Sequence, residues 1–399
     1  MVARVASFAW LVSAACADSA KASSVDTFAA WAAYHRKIYE SQVVEEQRRA
    51  TFWNNAKLVD TLNRDGDGAV YSLDGPFADL APEEFEARLM PKRPVPEEVF
   101  AAAREHNDPA LLRVGGLPES FDWVDKGAVA PVRDQQALGS CWAISTAENI
   151  EGQHFIANGK LVPMSPQQLV ECDASVDESC HGEKGQSKLG CADCGMFGGW
   201  PYMGYQFLQK AGGMFSEADW PYWHEGVYSC MPKGYSKLQC GNHDDLFCNP
   251  NTTKGQGPGG LCKASSGFAT SVTGWKALSM NETELAAQVV QYGPLSVLID
   301  ADGLQNYHSG IWKGGLFGCK PDPTKGILGL DHAVLLVGFG VEHGAFGKQT
   351  PYWKLKNSWG TKWGEQGFFR LERGTASCGI NLGATTAQVG GAAQNELVV

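Results

Sequence analysis

The chain lacks any apolar stretch long enough to cross a bilayer as a helix, any run of basic residues, any internal repeat and any long low-complexity tract. A spanning helix needs about 20 consecutive apolar residues, so a membrane anchor is not expected. Lysine and arginine number 33 against 44 acidic residues, a net charge of −11, which argues against nucleic acid as a partner. What remains is an ordinary globular composition, 44% hydrophobic and 19% charged, over 399 residues. That length holds two or three domains with enough core to fold without a metal.

The first residues read as an export signal. Arg4 supplies a short positive segment, Val5 to Ala15 is apolar, and Ala15-Cys16-Ala17 is a small-residue cleavage pattern, which predicts a cut after Ala17. Twelve cysteines agree with an oxidising compartment. Losing Cys16 with the signal leaves an odd number, so one should stay unpaired for a chemical reason. Asn251-Thr252-Thr253 and Asn281-Glu282-Thr283 are glycosylation sequons consistent with that route.

Residues 26–64 contain no glycine or proline and are rich in helix formers, which predicts one or two amphipathic helices. Pro91 to Pro96 carries three prolines and two basic residues and reads as an extended linker; 97–113 is helix-permissive. Texture changes near 113–117, where Trp, Gly and Cys become frequent, marking a domain boundary. Residues 140–158 predict the best later helix, with Ser140 as N-cap, Ala143, Ala147 and Ile150 on one face, and Asn158-Gly159 as the stop. Short runs at 295–299, 333–337 and 352–355 predict strands, while 173–199 and 229–267 read as loops. Helix first and strands later predicts an α+β arrangement in two segregated parts.

Cys141 falls in the first turn of the predicted helix, whose positive end favours thiolate. The surrounding Gln135-Gln136-Ala137-Leu138-Gly139-Ser140-Cys141-Trp142 resembles the active-site signature of papain-type cysteine proteases. Leu330-Asp331-His332-Ala333-Val334 resembles the family's histidine motif, and Asn357-Ser358-Trp359-Gly360 its asparagine motif. The order and long separations also match. The resemblance implies a Cys141–His332 thiolate–imidazolium pair, Asn357 orienting the ring, Trp359 shielding that contact, and Gln135 stabilising an oxyanion. No cofactor or metal is implied. Every catalytic position is filled, which disfavours a non-catalytic binding protein; a cysteine-rich matrix or lectin-like module leaves the three ordered motifs unexplained.

Gly198-Gly199-Trp200-Pro201-Tyr202 resembles the substrate-binding segment, where glycines let a peptide backbone approach. By resemblance Trp200, Pro201, Leu298 and Leu330 line the S2 pocket with Gly383 at its base, and Asp331 borders the cleft, implying an apolar P2 residue in protein or peptide substrates. The front of the chain is similar to the inhibitory propeptide of cathepsin L-like precursors. It carries Phe28, Trp31, Lys37 and Tyr39, then Arg48, Phe52, Asn55, Val59 and Asn63, with Val44 where the first glutamate belongs. Gly75, Phe77 and Asp79 match half of a second motif.

The implied organisation is a signal at 1–17, a propeptide at 18–114 acting as intramolecular inhibitor, a two-lobed papain-like domain at 115–387 with a helical left lobe and a β-barrel-like right lobe, and a tail at 388–399. Activation is expected to cut within 110–117 under an acid trigger, giving a monomer in a lysosome-like vacuole or outside the cell. The family's bridges are expected at Cys172–Cys230 and Cys319–Cys378. Leu138 replaces a usual cysteine. Cys180, Cys191, Cys194, Cys240, Cys248 and Cys262 then remain, expected as three local disulfides, with a zinc knot of Cys180, His181, Cys191 and Cys194 as the alternative. The 231–265 insertion, with His243, stands where some relatives block one end of the cleft to act as carboxydipeptidases; a solvated, disulfide-held loop is the expectation here.

Overall fold

The computed structural model describes residues 27–66, 68–90, 92, 95–105, 116–136, 138–173, 193, 195, 198–222, 258–314, 319 and 329–390. The signal, Asn251, Cys180, His181, Cys191, Cys194, Cys230, Cys240, His243, Cys248 and most of the activation segment lie outside these residues.

The front segment folds as α1 (residues 27–34) and α2 (Gln42–Asp65). Ser41 starts α2, its hydroxyl accepting from the Val44 N–H at 3.3 Å, and Gly66 ends it at φ 63°. The aromatic residues of the propeptide motif form their own core: Phe28, Trp31 and Phe52 are buried together, with Phe28 edge-on to Phe52 at 5.5 Å. Asn55 is buried in α2 and donates to the carbonyls of Ala78 and Leu80 at 2.8 and 2.7 Å, pinning the following loop to the helix. Lys37 and Tyr39 hold Asp79 from the other side. With Val44 in place of a glutamate, Arg48 pairs instead with Glu84 at 2.5 Å.

The front segment then joins the second part as a strand. β1 (Ala69–Tyr71) runs antiparallel to β5 (Tyr307–Trp312), Ala69 opposite Gly310. Gly310 has φ 88°, and a Cβ there would stand 2.5 Å from the Gly68 carbonyl, so only glycine admits the docked strand. α3 (Pro82–Glu86) and α4 (Glu97–Glu105) follow.

The second part holds α5 (Cys141–Asn158), α6 (Pro166–Cys172), α7 (Pro201–Ala211) and α8 (Glu282–Tyr292), with strands β2 (Phe121–Asp122), β3 (Val272–Ala277), β4 (Leu295–Ile299), β6 (His332–His343), β7 (Gln349–Lys356), β8 (Phe368–Glu372) and β9 (Thr385–Val389). Among the described residues the sheet order is β1-β5-β8-β7-β6-β4-β9-β3, with β2 on β6. This is an α+β fold, with most of the strands after α7 and with α8 set between β3 and β4. β6 and β7 run longer than their apolar runs suggested, because the β6–β7 pairing continues to His343 and Gln349 beyond the buried part. β9 pairs Gln388 and Val389 with β3, so the sheet passes the boundary expected at Ala387.

α5 departs from the expected one-faced helix. It is buried on all sides over most of its length, and its polar side chains are consumed in stitching the layers together. Ser145 bonds Ser296 on β4 and the Val334 carbonyl on β6, and Asn149 bonds the Pro294 carbonyl and the Ala387 N–H. Its buried Glu151 meets Arg133 at 2.6 Å, and Glu148 meets Lys356 of β7 at 2.7 Å. Partnered this way, buried polar groups avoid the desolvation cost of isolated ones.

Disulfide connectivity corrects the sequence expectation. Cys172 is bonded to Cys262, not to Cys230, which also removes Cys262 from the expected trio of local bridges. The reason is positional: Cys172 ends α6, and a 3-10 turn at Pro258–Lys263 brings Cys262 to that end, within a Cα separation of 5.4 Å. Cys319 is bonded to Cys378.

Asn55→Ala should leave the Ala78 carbonyl without its amide donor and the Leu80 carbonyl with its Gln305 bond alone, and cost about 2 kcal/mol of propeptide stability. A lower urea midpoint for exposure of Cys141 in the precursor is the expected reading; an unchanged midpoint would mean that water replaces the amide.

Candidate active site

The loop 131–140 delivers Cys141 to the first position of α5. Cys141 is the free cysteine among the described residues and is fully buried. Ser140 precedes the helix but does not cap it: its backbone is non-extended, and its hydroxyl bonds Tyr222 at 2.6 Å instead. The helix start is therefore left without a side-chain acceptor from Ser140, which keeps its positive end directed at the sulfur.

His332 opens β6 and Asn357 follows β7, two strands that pair, so the sheet brings together residues distant in sequence. His332 Nε2 lies 2.8 Å from Asn357 Oδ1, which also accepts the Ser358 N–H at 2.8 Å. An amide oxygen that is held this way assigns the donor role to Nε2. The neutral ring then carries its lone pair on Nδ1, a buried atom with no hydrogen-bond partner. The Ala333 backbone N–H reaches the Cys141 thiol, so the sulfur sits within one residue of His332 along β6.

Trp359 stacks on His332 at 4.7 Å and 23°, with Trp363 edge-on behind it at 4.7 Å. Gln135 is buried, its carbonyl oxygen accepting from Ser358 Oγ at 2.5 Å and its amide donating to the Leu138 carbonyl at 2.6 Å. The neighbouring Gln136 adopts φ 56° and is only partly covered, so Gln135 is the glutamine directed inward.

Gly198, Gly199, Trp200 and Pro201 lead into α7. Asp193 fastens the turn by accepting the Trp200 N–H at 2.5 Å. A Cβ on Gly199 would lie 2.5 Å from the Trp142 ring, so glycine is required by the packing there. Trp200, Leu298 and Leu330 share one buried cluster with Cys141 and Ala333. Gly383 backs onto that cluster, its virtual Cβ 3.0 Å from Leu298 Cδ1. Asp331 is buried beside His332, its carboxylate accepting the Ala301 N–H at 2.9 Å. Asn281 is exposed and caps α8 through its Oδ1.

The front segment on either side of the stretch read as a linker, with the described Lys92 and Val95 of that stretch, covers this site. Phe77 and Phe85 meet Trp359 edge-on at 5.6 and 5.2 Å. The Met90 N–H donates to the Asp331 carbonyl at 2.8 Å, and Val95 and Val99 join the cluster containing Leu298, Leu330 and Trp200. Val95 Cγ2 lies 3.7 Å from the virtual Cβ of Gly383. Proline content carried no sign of what the stretch lies on. Lys92, Asp300 and Asp302 also belong to the site's rim, and no motif pointed to them.

Burial decides the resting protonation. It pushes the Cys141 thiol up to about 12 and the His332 imidazole down to about 4, the latter only partly offset by the Asn357 bond. Both shifts disfavour the charged forms of the two groups in the precursor.

A buried cysteine at a helix start, a histidine fixed by an asparagine and a front segment lying through the adjoining groove together decide the family. The chain belongs to the papain family of cysteine proteases. Residues 117–388 match the papain family cysteine protease domain, and residues 28–85 match the cathepsin propeptide inhibitor domain. Cysteine proteinase 15A of Pisum sativum is 35% identical over 315 residues, covering 78% of this chain and 72% of that protein. Germination-specific cysteine protease 1 of Arabidopsis thaliana is 31% identical over 371 residues, covering 89% and 82%. The solved structure of digestive procathepsin L2 proteinase from Tenebrio molitor larval midgut aligns with a TM-score of 0.67 at 26% identity, covering 92% of this chain and 99% of that one. The papain-family member described here is thus a cysteine peptidase with an inhibitor domain, a zymogen with the propeptide as its intramolecular inhibitor.

Alkylation of Cys141 in the precursor should be slow at pH 7 and climb about tenfold per pH unit up to pH 10, because only the thiolate reacts. After propeptide removal the rate should flatten near neutrality. Identical profiles before and after removal would mean that the cover does not set the protonation state.

Proposed function

We propose that this chain is an endopeptidase exported as a zymogen, which hydrolyses peptide bonds through Cys141 and His332. The observation that carries the reading is the hydrogen bond that fixes His332 with its Nδ1 free, beside a thiol at a helix start. When the cover leaves, water and substrate replace the apolar propeptide residues, and the burial that held both groups neutral is relieved. Transfer of the thiol proton to Nδ1 then gives a thiolate–imidazolium pair. The thiolate attacks the substrate carbonyl, and the oxyanion is stabilised by the Cys141 N–H and by the second amide hydrogen of Gln135. The imidazolium gives its proton to the leaving amine, leaving an acyl-thioenzyme. A water deprotonated by His332 then attacks that thioester and frees the sulfur. Asn357 keeps the ring in the tautomer that these transfers need.

Specificity at P2 is proposed to be apolar, with Trp200, Pro201, Leu298, Leu330 and Gly383 as the lining. The seating of Val95 among these residues supports it. The signal at 1–17, the activation cut within 110–117, glycans on Asn251 and Asn281, and delivery to a lysosome-like vacuole or the extracellular space complete the proposal. Among the described residues no helix is long and apolar enough to cross a membrane.

Acid release follows from the ion pairs that hold the cover. Glu84 is held below its ordinary carboxyl value of 4.5, first by its hydrogen bond from Arg48. A depressed folded value means that this contribution is complete above the ordinary value and is lost as pH falls through the depressed one. Glu84→Gln removes the pair at every pH, so its precursor should activate at a higher pH than the parent.

The central test incubates the precursor near pH 4–5 with mild thiol, then adds a peptidyl epoxide and a fluorogenic peptide with an apolar P2 residue. The expected outcome is a new N-terminus within 110–117, label on Cys141, and no turnover by Cys141→Ala. A processed, folded protein that neither labels nor turns over would sink the endopeptidase reading, and preference for arginine at P2 would sink the apolar pocket.

A further inference from the structure

Beside His332 the cleft carries three carboxylates. Asp300 follows β4, and Asp331 directly precedes β6. The backbone binds them together: the Asp331 N–H donates to the Ile299 carbonyl at 3.1 Å, the Ala301 N–H to Asp331 Oδ1 at 2.9 Å, and the Asp302 N–H to Asp300 Oδ1 at 3.1 Å. The three groups offer oxygens that all lie within 4.8 Å of one another, and two of the three residues are buried. Gathered like charges of this kind repel and hold one another protonated unless a cation joins them.

A cation does join them, and it arrives on a peptide. Lys92 Nζ lies 3.2 Å from both oxygens of Asp300 and 3.9 Å from Asp331 Oδ2, and it also bonds Asp302. Its backbone neighbourhood is already on the cleft floor, with the Met90 N–H on the Asp331 carbonyl and Lys92 Cβ packed 2.7 Å from the virtual Cβ of Gly329. Among the described residues the ion pairs of all three aspartates are with Lys92 alone. Asp302 Oδ1 stays buried without a hydrogen-bond partner even with the ammonium in place. Lys92 belongs to the segment whose removal activates the enzyme, so activation strips the cluster of its counter-charge while opening it to substrate.

We propose that Asp300, Asp302 and Asp331 form a subsite that receives a lysine or arginine side chain of the peptide substrate, the role that Lys92 fills in the precursor. This rests on the peptidase reading above. It adds a second determinant, independent of the apolar pocket and set on the His332 side of the cleft. Asp302 is the residue that tunes it, being the least buried of the three and the one with an oxygen still unpartnered.

The test uses the activated enzyme and paired fluorogenic peptides with a common apolar P2 residue, carrying lysine or norleucine at each position flanking the scissile bond. At one position lysine should raise kcat/KM about tenfold over norleucine, the effect of one well-placed charge pair. Asp302→Asn should bring that ratio close to one, and Asp302→Ser should do the same. Protection of Cys141 from iodoacetamide by non-cleavable versions of the same peptides reads the binding without turnover. No lysine advantage at any position, or one that survives both variants, overturns the subsite. Calcium binding that is lost in Asp302→Asn, without any lysine advantage, overturns it in favour of a metal site. Lysine-dependent protection without turnover of any peptide would leave the subsite standing and overturn the peptidase reading instead.

Discussion

Water is kept from the sulfur of Cys141 and the ring of His332 by residues of the same chain, and the rest of the architecture follows from that exclusion. A thiol and an imidazole in contact form an ion pair readily in a solvated cleft, but in a dry one both charged forms are penalised. The front segment therefore does more than block access. It lays apolar side chains against the site in place of water. Phe77 and Phe85 against Trp359 close one side, and Val95 and Val99 fill the other.

Such a cover must be firm without being permanent. Its firmness comes from structure internal to the propeptide, the Phe28–Trp31–Phe52 core and the Asn55 bonds to the loop, and from β1 added to the edge of the second part's sheet. Beside these contacts stand ion pairs that are partly solvated, Arg48 with Glu84 and Lys92 with the aspartates. α5, which carries Cys141, is buried nearly all round and tied to β4, β6, β7 and β9 through Ser145, Asn149 and Glu148, contacts that do not involve the cover.

Much of this could be read from the residues because the chemistry needs particular side chains in particular local settings. Cys141 at a helix start, His332 opening a strand and Asn357 after the next strand each sit in a recognisable stretch of sequence, and the aromatic spacing of 28–52 marked the propeptide helices. What escaped depends on contacts between distant segments. The full burial of α5 has no signature in its own pattern, since it is decided by what lies on its far side. Ser140 had the composition of a cap, but Tyr222, far along the chain, takes its hydroxyl. Lys92 lay in the stretch read as a linker and Asp302 in no motif, and only the fold placed them together. The Cys172 pairing failed for the same reason: a disulfide is chosen by the ends that approach, and Cys262 approaches only because a short turn at 258–263 is set against α6.

That bridge has a topological side. It links residues 90 apart in sequence and so closes a ring around the whole stretch between α6 and the 3-10 turn, α7 included. A backbone cut at any one place inside the ring cannot free either piece. After any single cut between Cys172 and Cys262, α5 with Cys141 and β6 with His332 thus stay on one covalent body. The damage would be visible only to a denaturing analysis under reducing conditions.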